Sequence, residues 1–298
     1  MIEIELFGST TTSGNEFLLN IQKENTSFKI YPYARSKQNY FNLDLQKPKE
    51  YKSKIIGKKG FWISFAPIWQ LSFFLDWIYK HKIEYLSNLK GLVICSSTSI
   101  LTKRYSFNQF DQRLVSDLYE SENTISAIAK DLKMPLTIIR PTMIYGNSGK
   151  YRDNNFSIIK RILRYSLFIP IPRSSGLRQP IHCSQLSKVV ILSLNKIIYE
   201  NKNSIDSFKI INVGGDEELS YFKLIKRIQK SLPKKDFGKY CFIIKVPDVL
   251  FFLLGMITLF KSSKLFESIL RINTNMSNFE PSYKLIGGIK RKIPIQNI

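Results

Sequence analysis

The chain opens with a strand, a glycine-bounded turn and a helix, and that order restricts the folds open to it. Ile2, Ile4 and Leu6 alternate with Glu3 and Glu5, which reads as a short strand with one face buried. Gly8-Ser9-Thr10-Thr11-Thr12-Ser13-Gly14 follows directly, and Phe17, Leu18 and Ile21 then recur at helical spacing. In such a unit the backbone N–H groups at the helix N-terminus hold a phosphate, helped by the helix dipole. Gly8 suits the tight turn, and Gly14 suits a close approach of helix to strand. An ordinary Ser/Thr-rich turn without a ligand has the same composition, so the turn alone leaves both readings open.

Further strands are legible downstream. The second runs Phe28–Tyr33 and ends at Arg35-Ser36-Lys37. An acidic residue there would suit the ribose of NAD, and an arginine the 2′-phosphate of NADP. No Asp or Glu lies between Lys29 and Asn42, which favours NADP. Phe61–Phe65 leads into Ala66-Pro67, and the apolar run Leu92–Cys95 ends at Ser96-Ser97-Thr98-Ser99. Thr137-Ile138-Ile139-Arg140-Pro141 is a buried strand that stops at a proline and opens into Thr142-Met143-Ile144-Tyr145-Gly146. Its arginine and tyrosine stand where the chain leaves the sheet, the edge at which open α/β sheets bind ligands. Phe156, Ile158, Ile159, Ile162 and Leu163 mark an amphipathic helix, and paired prolines make Phe168–Pro172 extended. Gly176-Leu177-Arg178-Gln179-Pro180-Ile181-His182 and the strand Ile210–Val213 follow.

In this order, over residues 2 to 293, these segments resemble the extended short-chain dehydrogenase/reductase superfamily, within it the NAD-dependent epimerase/dehydratase family. The resemblance implies an α/β fold, a Rossmann-like doubly wound parallel sheet with a small discontinuous C-terminal substrate lobe. Residues 1–165 would form the NAD(P)-binding domain, and 166–298 the lobe with returning strands. NAD or NADP would lie against Gly8, Thr10, Thr11, Gly14, Arg35, Asp44, Ala66, Pro67, Arg140 and Pro141. The family carries a third glycine in the first turn, and Thr11 stands in its place, so the Ser/Thr hydroxyls would have to supply substitute hydrogen bonds. In the substrate pocket Arg152, Arg178 and Gln179 would face a nucleotide-linked or lipid-linked sugar, with arginine gripping its diphosphate bidentately. His182 matches a structural position.

The family's Tyr-x-x-x-Lys acid/base pair is missing. Counting back from Met134-Pro135 places Glu122 on the family's helix glutamate and puts the pair at Leu114 and Leu118. Tyr119 is one residue off, with Asn123 four residues later. A divergent subgroup from bacterial polysaccharide gene sets resembles the chain in this respect also, which leaves Thr98, Lys103 and Tyr145 as catalytic candidates. Each has a plain structural alternative: a hydroxyl capping backbone, a solvated lysine and a packing ring. A non-catalytic scaffold, like the accessory subunit of respiratory complex I that resembles the same superfamily, is the competing function.

Composition sets outer bounds. The formal charge of +22 attracts anions such as nucleotide sugars, nucleic acid or acidic lipid. Zinc spacing, a recognition helix and an RNA-binding aromatic motif are all missing, so nucleic acid is not expected. Three scattered cysteines and two histidines argue against disulfides and a metal site, and for a reducing compartment such as the cytoplasm. Glu3 and Glu5 break any signal-peptide pattern. The apolar run Val249–Phe260 is short of the ~20 residues of a spanning helix. It reads either as a buried helix of the C-terminal lobe or as an interfacial helix on anionic lipid at the inner membrane.

Overall fold

The computed structural model describes residues 2–23, 28–35, 40–55, 60–199, 208–260 and 262–295. Ser36 and Lys37, at the end of the second expected strand, lie outside the described residues. The main sheet takes β1 (Ile2–Phe7), β2 (Phe28–Ala34), β3 (Phe41–Asn42), β4 (Gly60–Ser64), β5 (Leu89–Cys95) and β6 (Leu136–Pro141). Short strands follow: β7 (Ile144–Tyr145), β8 (Phe168–Pro172), β9 (Leu177–Arg178) and β10 (Ile181–His182). The last are β11 (Phe208–Gly214), β12 (Leu219–Ser220), β13 (Phe242–Val246) and β14 (Glu280–Pro281). Helices α1 (Thr12–Lys23), α2 (Ile68–His81), α3 (Ser99–Thr102), α4 (Gln109–Asp131) and α5 (Asn155–Tyr165) alternate with the earlier strands. The later ones are α6 (Cys183–Tyr199), α7 (Tyr221–Lys230), α8 (Asp248–Met256), α9 (Ser263–Leu270) and α10 (Ser282–Ile286).

Eight strands lie in the order β14-β11-β6-β5-β4-β1-β2-β3, every neighbouring pair parallel. The expected α/β, Rossmann-like doubly wound sheet is therefore present. The order reverses between β1 and β4, and a crevice opens at such a reversal beyond the carboxyl ends of the strands. Two strands from the second half of the chain, β11 and β14, rejoin the sheet.

The period-two alternation of the strands sorts their side chains into two cores. Leu92, Ile94, Leu136 and Ile138 face α2 and α4, whereas Val93, Cys95 and Ile139 face α1 and α6. The first strand departs from its expected half-buried pattern, because Glu5 is wholly buried. Its carboxylate accepts hydrogen bonds from the hydroxyls of Tyr33 (2.7 Å) and Tyr51 (2.6 Å), from Trp62 Nε1 (2.6 Å) and from the N–H of Lys54 (2.7 Å). Burial raises its pKa, and those four donors pull the other way. With β2 and β4 on either side and α2 above, β1 is a central strand, and a polar residue there survives only when fully bonded.

Beyond the sheet, β8 and β13 pair in parallel and support a third core of Tyr145, Phe156, Leu163, Leu224 and Ile228. Helix α8 lies over this lobe but is not enclosed by it. Only Phe251 and Gly255 are buried, while Val249 is 72% exposed and Phe260, at the end of the following turn, 96%. The buried-helix reading of Val249–Phe260 is thereby overturned: the lobe offers too few neighbours to cover it. Among the described residues no helix is long and apolar enough to cross a membrane. The three cysteines are buried and unpaired.

Candidate functional site

The turn after β1 is built around two glycines. Gly8 has φ +75°, where an L side chain is strained, and a Cβ there would lie 2.4 Å from the backbone nitrogen of Ala66. A Cβ on Gly14 would lie 2.3 Å from the carbonyl oxygen of Gly8, so the helix can approach the turn only without one. Thr11 caps α1. Its hydroxyl donates to the Gly8 carbonyl (2.8 Å) and accepts the N–H of Gly14 (3.0 Å), one of the orphan donors at a helix start. The polar atom of Thr11 is thus spent inside the turn. Thr12 and Ser13, the first residues of the helix, face the cleft alongside it.

Three cavities follow one another along the carboxyl edge of the sheet. The first, about 110 Å³, is lined by Gly8, Thr10, Thr11, Arg35, Asp44 and Pro67. It shares Thr10, Thr11, Ala66 and Pro67 with the second, about 690 Å³, which reaches Ser96, Ser97, Leu114, Leu118 and the stretch Lys150–Asn155. The third, about 370 Å³, shares Ser96, Ser97, Ile144 and Asn155 with the second, and adds Thr98, Lys103, Pro141, Arg178 and Gln179. Shared walls make these one cleft. The groove is long, meets helix N–H groups in its middle, and passes the glycine cradle, which suits a dinucleotide lying across β1 and β4.

Several expected site residues line this cleft while their polar atoms are already engaged. The Thr98 hydroxyl donates to the carbonyl of Pro141 (3.0 Å). Lys103 Nζ lies 2.8 Å from Asp111, so the lysine is an ion-pair member at the wall and not a solvated one. Gln179 is buried, donates to the carbonyls of Gly215 (2.9 Å) and Phe279 (3.1 Å), and accepts the N–H of Phe279 (3.0 Å). Its amide braces the ends of β11 and β14, with both amide hydrogens committed to backbone carbonyls. Arg152 is exposed at the mouth of the large cavity.

Three expected contacts lie outside the cavities: Gly14, which serves the close approach of α1 to the turn, Arg140 and Tyr145. Arg140, placed against the cofactor by the sequence, turns into the wall between β6 and α4. Its Nε is 3.0 and 3.2 Å from the Glu122 carboxylate, its Nη2 bonds there as well, and the Ser96 hydroxyl donates to the same carboxylate. Arg140 therefore reaches the cleft only through Glu122 and Ser96. Tyr145, a catalytic candidate, is 2% exposed, its ring stacked on Phe156 and edge-on to His182. Its hydroxyl accepts the N–H of Ile295 (3.1 Å), and burial raises its pKa. Its role is packing. His182 is buried at the start of α6, with its N–H donating to Gln185 and Nδ1 2.7 Å from the Ser184 hydroxyl.

One cleft residue did not stand out in the sequence. Tyr151 lines the large cavity, with Lys150 Nζ 5.8 Å above its ring. A turn closed by the Ser148–Tyr151 bridge, with Gly149 at φ +53°, holds this pair at the cavity wall, with Lys150 exposed and the Tyr151 hydroxyl buried. Tyr119, the near miss of the missing pair, is 60% exposed on α4. Leu114 and Leu118 do line the cleft, so apolar carbon occupies that wall. Among the described residues no group of three His, Cys, Asp or Glu comes together as metal ligands.

Arg178 is the most unusual group in the cleft. It is 8% exposed and donates to the carbonyls of Leu177 (2.8 Å), Thr274 (2.6 Å) and Arg271. Among the described residues no carboxylate lies within ion-pair reach of it. Burial brings its pKa down to about 10, with Tyr221 pulling it up and Arg271 further down.

No family model matches the sequence, and no curated protein matches it. Solved structures do match by shape. UDP-glucuronic acid 4-epimerase from Bacillus cereus, in complex with NAD, aligns with a TM-score of 0.63 at 12% identity, covering 97% of this chain and 92% of that one. GDP-mannoheptose C4 reductase from Campylobacter jejuni, with NADP bound, aligns at 0.61 and 13%, covering 98% and 94%. dTDP-glucose 4,6-dehydratase from Bacillus anthracis, in complex with NAD, aligns at 0.55 and 15%, covering 83% and 85%. At such identities the likeness is one of fold: the chain shares the architecture of the NAD-dependent epimerase and dehydratase structures over nearly its whole length.

Proposed function

We propose that this chain binds NAD or NADP along β1 and β4 and converts a nucleotide-linked sugar, as an epimerase, dehydratase or ketoreductase of bacterial polysaccharide building. The observation that carries the reading is one unbroken cleft, running from the Gly8–Gly14 cradle to a buried arginine with no acidic partner among the described residues. A buried guanidinium bonded to three carbonyls, with the Tyr221 ring 5.4 Å away and no carboxylate among the described residues, is a poorly compensated charge. A sugar diphosphate would compensate it, and a nucleotide-linked or lipid-linked sugar brings that group equally. The fold neighbours carry NAD or NADP, and UDP-, dTDP- or GDP-sugars in their names, which supports the same assignment.

A bound nicotinamide supplies hydride transfer. The chain's own residues supply the rest. Thr10, Thr12 and Ser13 meet the diphosphate of the coenzyme, Arg35 and Asp44 flank its ribose, and Arg178 orients the sugar diphosphate. Ser96 and Ser97 offer hydroxyls at the centre of the cleft. Tyr151 beside Lys150 is the pair we assign to the reacting end of the sugar, because both line the large cavity between the cradle and Arg178. Thr98 and Lys103 form the polar wall behind the sugar.

A second reading, a coenzyme-binding scaffold without turnover, is favoured by Leu114 and Leu118 on the wall where an acid/base pair would otherwise stand. One experiment separates the two. Thermal unfolding with NAD(H) and NADP(H) measures binding, since a ligand of the native state at 100 times its Kd adds about 2.7 kcal/mol. Incubation with UDP-glucose, UDP-glucuronic acid and GDP-mannose, followed by NMR, then measures turnover. Binding with turnover, lost in Tyr151→Phe while binding persists, is the expected result. Binding without turnover of any sugar selects the scaffold, and no thermal shift with either coenzyme rejects both.

A further inference from the structure

The lobe carries an apolar surface that the cleft does not use. In α8 only Phe251 and Gly255, one turn apart, face inward, which leaves most of the circumference in water. Val249 is 72% exposed, Leu253 56%, Ile257 64% and Phe260 96%. The surface continues over α9, where Leu265 is exposed and Lys264 Nζ lies 4.8 Å above the ring of Phe110. Beside Phe110 the loop residues Tyr105 and Phe107 are 84% and 92% exposed. Behind α8 an apolar hollow of about 260 Å³ opens between Ile162, Ile169, Leu254 and Ile269. Contiguous exposed carbon on this scale marks a surface that something covers.

Charge says what covers it. Residues 221–272 carry eleven Lys and Arg against three acids, Asp236, Asp248 and Glu267. Each acid is engaged within the fold: Asp236 with Arg164, Asp248 with Ser174, and Glu267 with Arg271. Among the described residues no lysine of this stretch is paired with an acid. Lys223, Lys226 and Lys245 are exposed, and Lys226 and Lys245 sit 5.0 and 4.6 Å over the ring of Phe222. An apolar helix bordered by free lysines, with aromatic rings alongside, matches the chemistry of a bilayer interface carrying acidic headgroups. A second copy of this chain would instead bring one cationic face against another.

We propose that the face formed by α8, the turn to Phe260 and the neighbouring lysines seats the protein on an anionic phospholipid bilayer, whatever the cleft binds. The apolar side chains enter the headgroup boundary and the lysines of α7 and β13 meet the acidic headgroups.

Flotation of the whole chain with phosphatidylcholine vesicles, and with vesicles one third phosphatidylglycerol, tests this at low and high salt. Binding is expected only to the acidic vesicles and is weakened by salt. Each lysine near such a surface contributes about 1 kcal/mol, so Lys223→Glu/Lys226→Glu/Lys245→Glu should lower partitioning by roughly a hundredfold or more. Val249→Ser/Leu253→Ser/Phe260→Ser should abolish it. All the replaced side chains are exposed, so both variants should keep wild-type circular dichroism and unfolding midpoints. Failure of the wild type to float with acidic vesicles overturns the proposal, as does equal flotation of wild type and both variants. A dimer in light scattering that the serine variant dissociates, with no vesicle binding, overturns it in favour of self-association.

Discussion

Replacing Glu122 by alanine should be among the most damaging single changes near the cleft, and the reason lies in what it strands. The Glu122 and Arg140 side chains are 5% and 14% exposed, and the carboxylate takes bonds from Nε, Nη2 and the Ser96 hydroxyl. Removing the acid leaves a guanidinium buried between α4 and β6 with no counter-charge, which costs about 3–5 kcal/mol. The intact pair contributes far less than that, because desolvating two charges offsets most of their attraction. Glu122→Leu/Arg140→Met should therefore return to within about 1–2 kcal/mol of wild type, more stable than the single replacement that strands a charge. Urea unfolding measures it as a shift in midpoint at constant slope. The double variant also separates stability from function. Ser96 loses its acceptor in the cleft, so ligand affinity should stay reduced after stability has recovered. A Glu122→Ala protein within about 1 kcal/mol of wild type, or a double variant as unstable as the single, would refute the argument from a buried pair.

Two further outcomes can be stated. Thr11→Val removes both hydrogen bonds of the helix cap and should lower the unfolding free energy by about 1–2 kcal/mol, whereas Thr11→Gly should cost a few tenths; equal stabilities by urea titration would mean that the hydroxyl is idle. Asp111 should make the protein acid-sensitive: burial alone would raise its pKa, but Lys103 and Asn108, with the charges of Lys103 and Arg271, hold it down to about 2. Its folded pKa lies below the ordinary value of 3.8, so its contribution, about 2 kcal/mol, is present above that value and lost as the pH falls through 3.8 towards 2. Glu267, which shares Arg271, is lowered as well and adds in the same direction. Unfolding free energies of wild type and Asp111→Asn between pH 2 and pH 6 check this, and parallel curves would remove Asp111 as the cause.

The sheet was readable because its information is local. A run such as Leu92–Cys95 between turn residues can only be a buried strand, and the turn Gly8–Gly14 joins strand to helix whatever the rest of the chain does. What was not readable is the partner of each polar side chain. An arginine at the end of β6 looks equally suited to a phosphate in the cleft and to a carboxylate in the wall. The choice depends on Glu122, eighteen residues earlier, arriving on α4 against the same strand. Tyr145 is decided in the same way by distant residues, Phe156, His182 and Ile295, which enclose it.

Thr11 shows the intermediate case. Replacement of a glycine by threonine marks the turn as altered, but only the fold shows the hydroxyl closing the turn itself, which leaves carbon and not a competing donor at the groove. Helix α8 fails for a further reason. Hydropathy measures what a side chain would prefer, and an apolar run has the same hydropathy whether a lobe covers it or not. Coverage depends on how many neighbours the rest of the chain supplies, and here β8, α7 and α9 supply enough for Phe251 and Gly255 alone within the helix. Exposed carbon that folding leaves uncovered is a standing cost in water, and a chain with unneutralised lysines beside it has one inexpensive way to remove that cost, by moving the helix out of water onto a surface of opposite charge.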